Sequence, residues 1–360
     1  MAGNLIKDEN LKVLRRVLRK EREATKPQLA EKTGLSVVTI QSLIKTLVEN
    51  GEVLEGEMVQ PRLGRPAITY RFHERARLAL IIFMYEKNGN DTAVCEVCDL
   101  YGISIERMEK KLKDISEESY DDMIEEMLGK YPEIMIIALG LPVVERDGMI
   151  FASDYPRLLN VNLADYLTEK FHRRVLIEND VNAAVFGYAM QEDKKRANQQ
   201  NTDRERVEKE RMVQEHADEE LTESERVNNG HTGCIAGIYM PSKYPPGAGI
   251  CLDGKVQRGR NGLAGEIRLL PSSIDWEHFT YEKESVEEYL LQTMKAFFCF
   301  YNPDKLVLYS EIVDESLFGK LEQMCENRIE KLLIPEMEIK KDLKEDFEAG
   351  MIQIALREIL

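Results

Sequence analysis

The chain has 360 residues, with 49 Lys and Arg against 65 Asp and Glu, a formal charge of −16 and 43 % hydrophobic residues. That length and apolar content predict two or three domains with a sizeable core. The absence of an apolar run of about 18 residues, and of a signal-peptide core, excludes a membrane span and predicts a cytoplasmic protein. The overall charge argues against a nucleic-acid partner, but it is unevenly spread. Residues 1–75 hold 14 basic and 10 acidic side chains, a net of +4, and the remainder 35 and 55, a net of −20. Such asymmetry points to a polyanion partner for the N-terminal part.

Asn10 to Arg22 reads as an amphipathic helix with Leu11, Leu14, Val17 and Leu18 on one face and Asp8 or Asn10 as N-cap. Thr25-Lys26-Pro27 opens a short second helix carrying Leu29 and Ala30. Thr33-Gly34-Leu35-Ser36 is a tight turn: Gly34 suits positive φ and Ser36 can cap the next helix. A third helix follows over 37–49, with Val38, Ile40, Leu43, Ile44 and Leu47 inward and Val37, Thr39, Gln41, Ser42, Lys45 and Thr46 outward. Two strand-like segments, Glu52–Glu55 and Ala67–Phe72, flank the basic connection VQPRLGRP with Arg62 and Arg65. Helix, glycine turn, helix and basic hairpin in this order predict a winged helix-turn-helix DNA-binding domain over residues 1–75. The candidate DNA contacts are Ser36, Val37, Thr39, Gln41, Ser42 and Lys45 on the third helix and Arg62 and Arg65 on the wing, short polar groups and cations suited to base edges and phosphates. The other reading of this segment is a small three-helix interaction module with a solvated basic loop.

Beyond residue 75 the pattern is α/β. LALIIFMY, TAVCEVCDL and ISIERMEKK read as three successive strands, Ser119–Lys130 as a helix and IMIIALGL as a buried strand. A helix at about 162–172 leads into a strand at Arg174–Glu178, with Asn179 and Asp180 at its carboxyl end, where open α/β sheets place ligands. The C-terminal third reads as helices over 286–300, 315–333 and 343–360 around the strand LVLYS. Phe297, Phe298, Phe300 and Tyr301 read as core or subunit contacts. The six cysteines are scattered and read as free thiols. Cys95-x-x-Cys98 lies on opposite faces of a strand, and the five histidines never fall at metal-ligand spacing, so no metal site is expected. Residues 191–230, with 12 acidic and 8 basic side chains, read as a charged insertion, a solvated helix or disordered spacer.

The segment LAEKTGLSVVTIQSLIKTLVENGEVLEGEMVQPRLGRPAITYRF resembles the N-terminal domain of repressors of the ROK family (repressor, open reading frame, kinase). GLPVVERDGMIFASDYPRLLNVNLADYL, VLIENDVNAAVFGYAM and PPGAGICLDGKVQRGRNGLAGEI resemble, in order, that family's sugar loop, catalytic-strand motif and glycine-rich phosphate loop with its AGE motif. The resemblance implies a two-lobed sugar kinase/actin-like (ribonuclease H-like) body, its lobes at 76–185 and 186–360. It puts Asn160, Asn179, Asp180 and Glu266 at sugar hydroxyls, with Asp180 in the position of a general base able to accept a hydroxyl proton. The alternative for Asn179 and Asp180 is helix capping.

Departures from the family are as informative. The early DxGxT phosphate motif is replaced by IIFMYEKNGNDTAV, and the adenine-side Gly-Gly by Ser310-Glu311. The second loop survives only as Pro246-Gly247-Ala248-Gly249 behind Pro-Ser-Lys-Tyr-Pro, and Leu269 stands where the zinc-binding His would be, with no cysteine cluster after it. ATP phosphoryl transfer, cofactors and zinc are therefore not expected. The expected function is a DNA-binding transcriptional regulator, a repressor, acting as a homodimer or dimer of dimers on a double-stranded operator, with a sugar-like effector. The alternatives are a ROK sugar kinase phosphorylating a hexose with ATP and carrying a DNA-binding appendage, and a ligand-free regulator whose body only dimerises.

Overall fold

The computed structural model describes residues 2–60, 66–87, 90–153, 155–213, 233–272, 274–276, 278, 281–326 and 334–359. They form two compact units, one of residues 1–139, 161–176 and 352–360, the other of 140–160 and 177–351.

The first unit opens with α1 (Ala2–Glu21), β1 (Glu23–Thr25), α2 (Lys26–Thr33), α3 (Val37–Glu49), β2 (Val53–Val59) and β3 (Ala67–Phe72). Each boundary has a local cause. Thr25 caps α2 through a capping box in which Gln28 returns a 2.8 Å hydrogen bond to the Thr25 N–H. Gly34, at φ 71, ends α2, and its N–H donates to Ala30 O. Ser36 then caps α3 by accepting from the Thr39 N–H at 3.1 Å. Leu11, Leu14, Leu18, Leu29, Ile40, Leu43, Ile44 and Leu47 close a common core with Val53, Tyr70 and Phe72. Each such side chain contributes about 1.5–3 kcal/mol of burial.

Three expectations change here. The first helix starts at Ala2, so Asp8 and Asn10 lie inside it; the apolar pattern detects only the part whose burial begins at Leu11. Val38, expected inward, is 79 % exposed. It sits about 200° round the helix from Ile40, off the buried stripe. The three-residue β1, too short for an alternation signal, pairs antiparallel with β3 and makes a sheet of order β1-β3-β2. A bulge in β2 between Glu55 and Met58 holds Gly56, where a Cβ would run into the Thr69 hydroxyl. The wing tip with Arg62 and Arg65 lies outside the described residues.

Residues 73–77 alone join β3 to the next strand, and they are bonded throughout. His73 N–H donates to Glu52 O, and Leu100 N–H to Glu74 O. The Glu52 side chain, 3 % exposed, takes Arg15 Nε at 2.8 Å and Arg77 at 2.7 Å. Arg77 also donates to the Ile359 carbonyl at 3.2 Å. Arg22 stacks 4.4 Å over the Tyr101 ring, and Leu100 belongs to the helical core itself.

β4 (Leu78–Lys87), β5 (Asn90–Cys98) and β6 (Ser104–Lys111) form an antiparallel meander. With β7 (Ile134–Leu141) and a strand at Arg174–Asn179, β10, they make a sheet of order β10-β7-β4-β5-β6, accompanied by α4 (Asp121–Lys130) and α5 (Leu163–Phe171). Cys95 and Cys98 are buried in β5, and burial pushes the Cys95 thiol up to about 12.

The second unit contains the hairpin β8 (Val143–Arg146) and β9 (Met149–Ser153), then α6 (Asp180–Val213), β11 (Cys234–Met240), β12 (Gly247–Leu252), β13 (Lys255–Val256), α7 (Lys283–Tyr301), β14 (Lys305–Ser310), α8 (Glu315–Glu326), β15 (Glu336–Lys340) and α9 (Lys344–Ile359), whose last residues belong to the first unit. Its sheet runs β13-β12-β11-β14-β15, the same order by rank as the first, 3-2-1-4-5. This repetition is the sugar kinase/actin-like architecture. β15 was not expected, because its residues Glu336–Lys340 alternate charge with apolar groups and no longer run marks it. The charged insertion begins as helix, since α6 continues to Val213; 214–232 lie outside the described residues. Phe297 and Phe298 are core, whereas Phe300 and Tyr301 are exposed. Gly187 on α6 and Gly350 on α9 lie where a Cβ would run into the backbone of the other helix.

Replacing Glu52 by Ala leaves two guanidinium groups without their buried carboxylate. We expect a loss of about 3 kcal/mol, read from urea unfolding of the full chain.

Candidate nucleic-acid interface and ligand site

The outward face of α3 is a stripe of Val37, Val38, Gln41, Ser42 and Lys45, all exposed. Ser36 and Thr39 stand at its start, but their hydroxyls are tied to each other at 2.9 Å and to the cap. Lys45 lies 3.7 Å from Glu49, an exposed pair that costs little to open. From Lys32 to Val48 the chain carries two lysines and no carboxylate. Val38 is the member of this face that the apolar pattern missed.

The four residues assigned to a sugar all lie in the second unit. Asn179 ends β10 and is structurally occupied: its amide donates to Val143 O at 3.3 Å and its carbonyl caps α6 through the Asn182 N–H at 3.1 Å. Asp180 opens α6, its carboxylate accepting the Val181 N–H at 2.9 Å. Asn179 thus makes the contact of a helix cap, while the Asp180 carboxylate bonds the N–H that follows it. Asn160 is exposed at φ 61, held by its own N–H to Ile150 O of β9. Glu266 is partly buried and lies 3.1 Å from Arg268. Its loop is pinned by the Tyr289 hydroxyl on Ile267 O at 2.8 Å, while Leu269 is 65 % exposed.

Sequence reasoning missed the charged groups beside them. Buried Glu178, one residue before Asn179, is gripped by Arg258, with Nε at 3.0 Å, and accepts from Asn182 at 3.4 Å. Glu145 on β8 accepts the Gly148 N–H at 2.9 Å, and burial raises its pKa above the usual carboxylate value, with Glu178 adding to the rise. Gly262 is needed here, since at its φ of 73 a Cβ would run into Glu145 O. Arg146 donates to Asn261 at 3.0 Å. The start of α6, the β8–β9 hairpin and the loop 258–266 are thus tied together around a carboxylate-rich, arginine-balanced cluster. Gly247 and Gly249 sit inside β12 against Val181 and Asn182, where a Cβ would be a tight fit against the first turn of α6.

No family model matches the chain. It is 26 % identical over 191 residues to a xylose repressor of Bacillus spizizenii, and 25 % identical over the same length to one of Bacillus subtilis. Each match covers 51 % of this chain and 49 % of the relative, so the chain aligns with about half the length of the curated relatives it matches. Among solved structures it resembles a ROK family transcriptional regulator, a homologue of the Escherichia coli MLC protein, with TM-score 0.61 and 15 % identity, covering 98 % of this chain and all of that one. The chain is similar to xylose repressors over part of its sequence and to ROK family proteins in fold. The ROK hexokinase of Thermus thermophilus shares the body architecture, with TM-score 0.52 and 14 % identity over 79 % of this chain and 98 % of that one. The ROK-like fold accounts for the doubled 3-2-1-4-5 sheets.

Because Glu145 has its proton affinity raised by burial, it favours the folded state when protonated and opposes it increasingly as pH rises through its elevated pKa. Glu145→Gln should therefore gain stability over wild type at pH 7, with the difference shrinking toward pH 4. Thermal melts across that range check it.

Proposed function

We propose that the chain is a sequence-specific DNA-binding transcriptional regulator, a repressor, with residues 1–75 as a winged helix-turn-helix. The observation that carries this reading is the exposed stripe of α3, which carries no carboxylate before Glu49 and is displayed by the Gly34 turn, at the place where helix-turn-helix proteins carry their recognition helix. The similarity to xylose repressors supports it. Gln41, Ser42 and Lys45 contact the duplex directly, Val37 lies with them, Ser36 and Thr39 order the first turn, and Arg62 and Arg65 hold phosphate or enter the minor groove. One such element reads one half-site, so the active species is a homodimer or dimer of dimers in the cytoplasm. No described helix is long and apolar enough to cross a membrane.

The body acts as a sensor of a sugar or sugar derivative through Asn160, Asn179, Asp180 and Glu266, and not as an ATP-dependent enzyme. Supporting the second point, Glu311, in the adenine-side position, accepts from the Ser242 backbone N–H at 3.2 Å and from its hydroxyl. A carboxylate holding that donor opposes a phosphate there. Ser310 beside it is buried, its hydroxyl donating to Met240 O at 2.8 Å.

The test is binding to genomic DNA fragments over a salt series, with ATP turnover on a hexose panel in parallel. We expect selective binding that falls steeply with salt, and no turnover. Arg65→Ala should weaken all sequences alike. Absence of selective, salt-sensitive binding overturns the regulator reading; turnover abolished by Asp180→Asn would establish a sugar kinase instead.

A further inference from the structure

Val38 is 79 % exposed and Val37 48 %, side by side in the first turn of α3. In the free protein this placement brings nothing: neither valine joins the core, and a β-branched residue is a poorer helix former than Ala, Lys or Gln. What it does provide is two rigid apolar tips, since valine in a helix is held close to a single χ1 rotamer. They surmount a stripe whose next members are Gln41, Ser42 and Lys45. The flanking hydroxyls of Ser36 and Thr39 are engaged with each other and with the helix N-terminus, which leaves the valines as the apolar groups of that turn. The surrounding segment, Lys32 to Val48, carries positive charge only, in a chain whose net charge is −16. A partner protein would be recognised by a broader apolar patch; two small tips at the start of a polar face whose one carboxylate, Glu49, lies at the far end of α3 beside Lys45 fit a surface that is anionic overall and presents single methyl groups. The major groove of DNA is such a surface, and the thymine C5-methyl is the apolar feature on its floor.

We infer that Val38, with Val37 beside it, is a specificity determinant that packs on thymine methyl groups, so that the half-site carries thymine under the start of α3. Gln41, one turn further along the same face, is placed to read an adjacent adenine through its N6 and N7 edge. This inference rests on the regulator reading above and gives it a base preference that the polar residues alone do not supply.

The probe is a duplex selected from a randomised pool by the full-length protein. In that duplex each thymine is replaced in turn by deoxyuridine, which removes the methyl and keeps the pairing. Removal of one buried methyl should weaken wild-type binding about fourfold at one or two neighbouring positions. Val38→Ala should bind the thymine duplex about as weakly as wild type binds the deoxyuridine one, and should lose sensitivity to the replacement. Because Val38 is exposed and Ala is the better helix former, the variant should fold; circular dichroism and thermal melting check that. If a preferred duplex is selected but no deoxyuridine replacement matters, or Val38→Ala remains sensitive at every position, the inference is overturned while the regulator reading stands. If Val38→Ala instead dissociates an oligomer seen by light scattering and leaves DNA affinity unchanged, the face is a protein contact and the inference fails. If no duplex is preferred at all, the regulator reading itself falls.

Discussion

The joint between the N-terminal helices and the rest of the first unit is centred on one buried carboxylate. Glu52 follows the end of α3 and accepts both Arg15 from α1 and Arg77 at the entrance to β4. A carboxylate in such a place would cost several kcal/mol alone, and it is tolerated because two guanidinium groups meet it. Meeting that requirement brings α1 and the chain leaving β3 to the same carboxylate. The other contacts of the joint, from Arg22 on Tyr101 to Leu100 in the helical core, are consistent with that single geometry. The exposed face of α3 is thus presented by a framework, and its orientation does not depend on a linker.

A second constraint of the same kind operates around the start of α6. At Gly262 two backbones meet where a side chain would collide, and at Gly247 and Gly249 a Cβ would press on the first turn of α6. The same closeness brings Glu178, Glu145 and Arg258 into one charged cluster. Asn179 and Asp180 contribute hydrogen bonds to this framework whether or not a ligand arrives, so their presence in the sequence is not by itself a sign of catalysis. Such residues have a structural reason to persist independent of any chemistry.

Much of the fold was legible in the sequence because its elements carry strong periodicity or strong punctuation. The start of α2 at Thr25-Lys26-Pro27, the Gly34 turn, the Ser36 cap and the burial of Ile40, Leu43, Ile44 and Leu47 lie where the pattern puts them, and β4 and β5 are marked by their apolar runs. What escaped were elements stabilised by partners distant in sequence. β1 is three residues long and exists because β3 lies beside it. β15 is too charged to announce itself and is held by parallel pairing with β14. Val38 was assigned inward because an apolar residue in an amphipathic helix ordinarily is, yet a helix has one buried face and Ile40, Leu43, Ile44 and Leu47 fill it. Asn160, Asn179, Asp180 and Glu266 were singled out by motif resemblance; Glu178, Glu145 and Arg258 were invisible to it because they come together from segments far apart in the chain.

The five residues between β3 and β4 have a consequence for positional freedom. A flexible tether of that length would let its ends wander by about 12 Å. Along B-DNA that is roughly a third of a helical turn, enough to blur which base pair a helix faces. Here His73, Glu74 and Arg77 are each hydrogen-bonded, so that wandering is removed when the chain folds. The ordering entropy is spent before any encounter, and the placement of α3 within the first unit becomes a property of the folded chain.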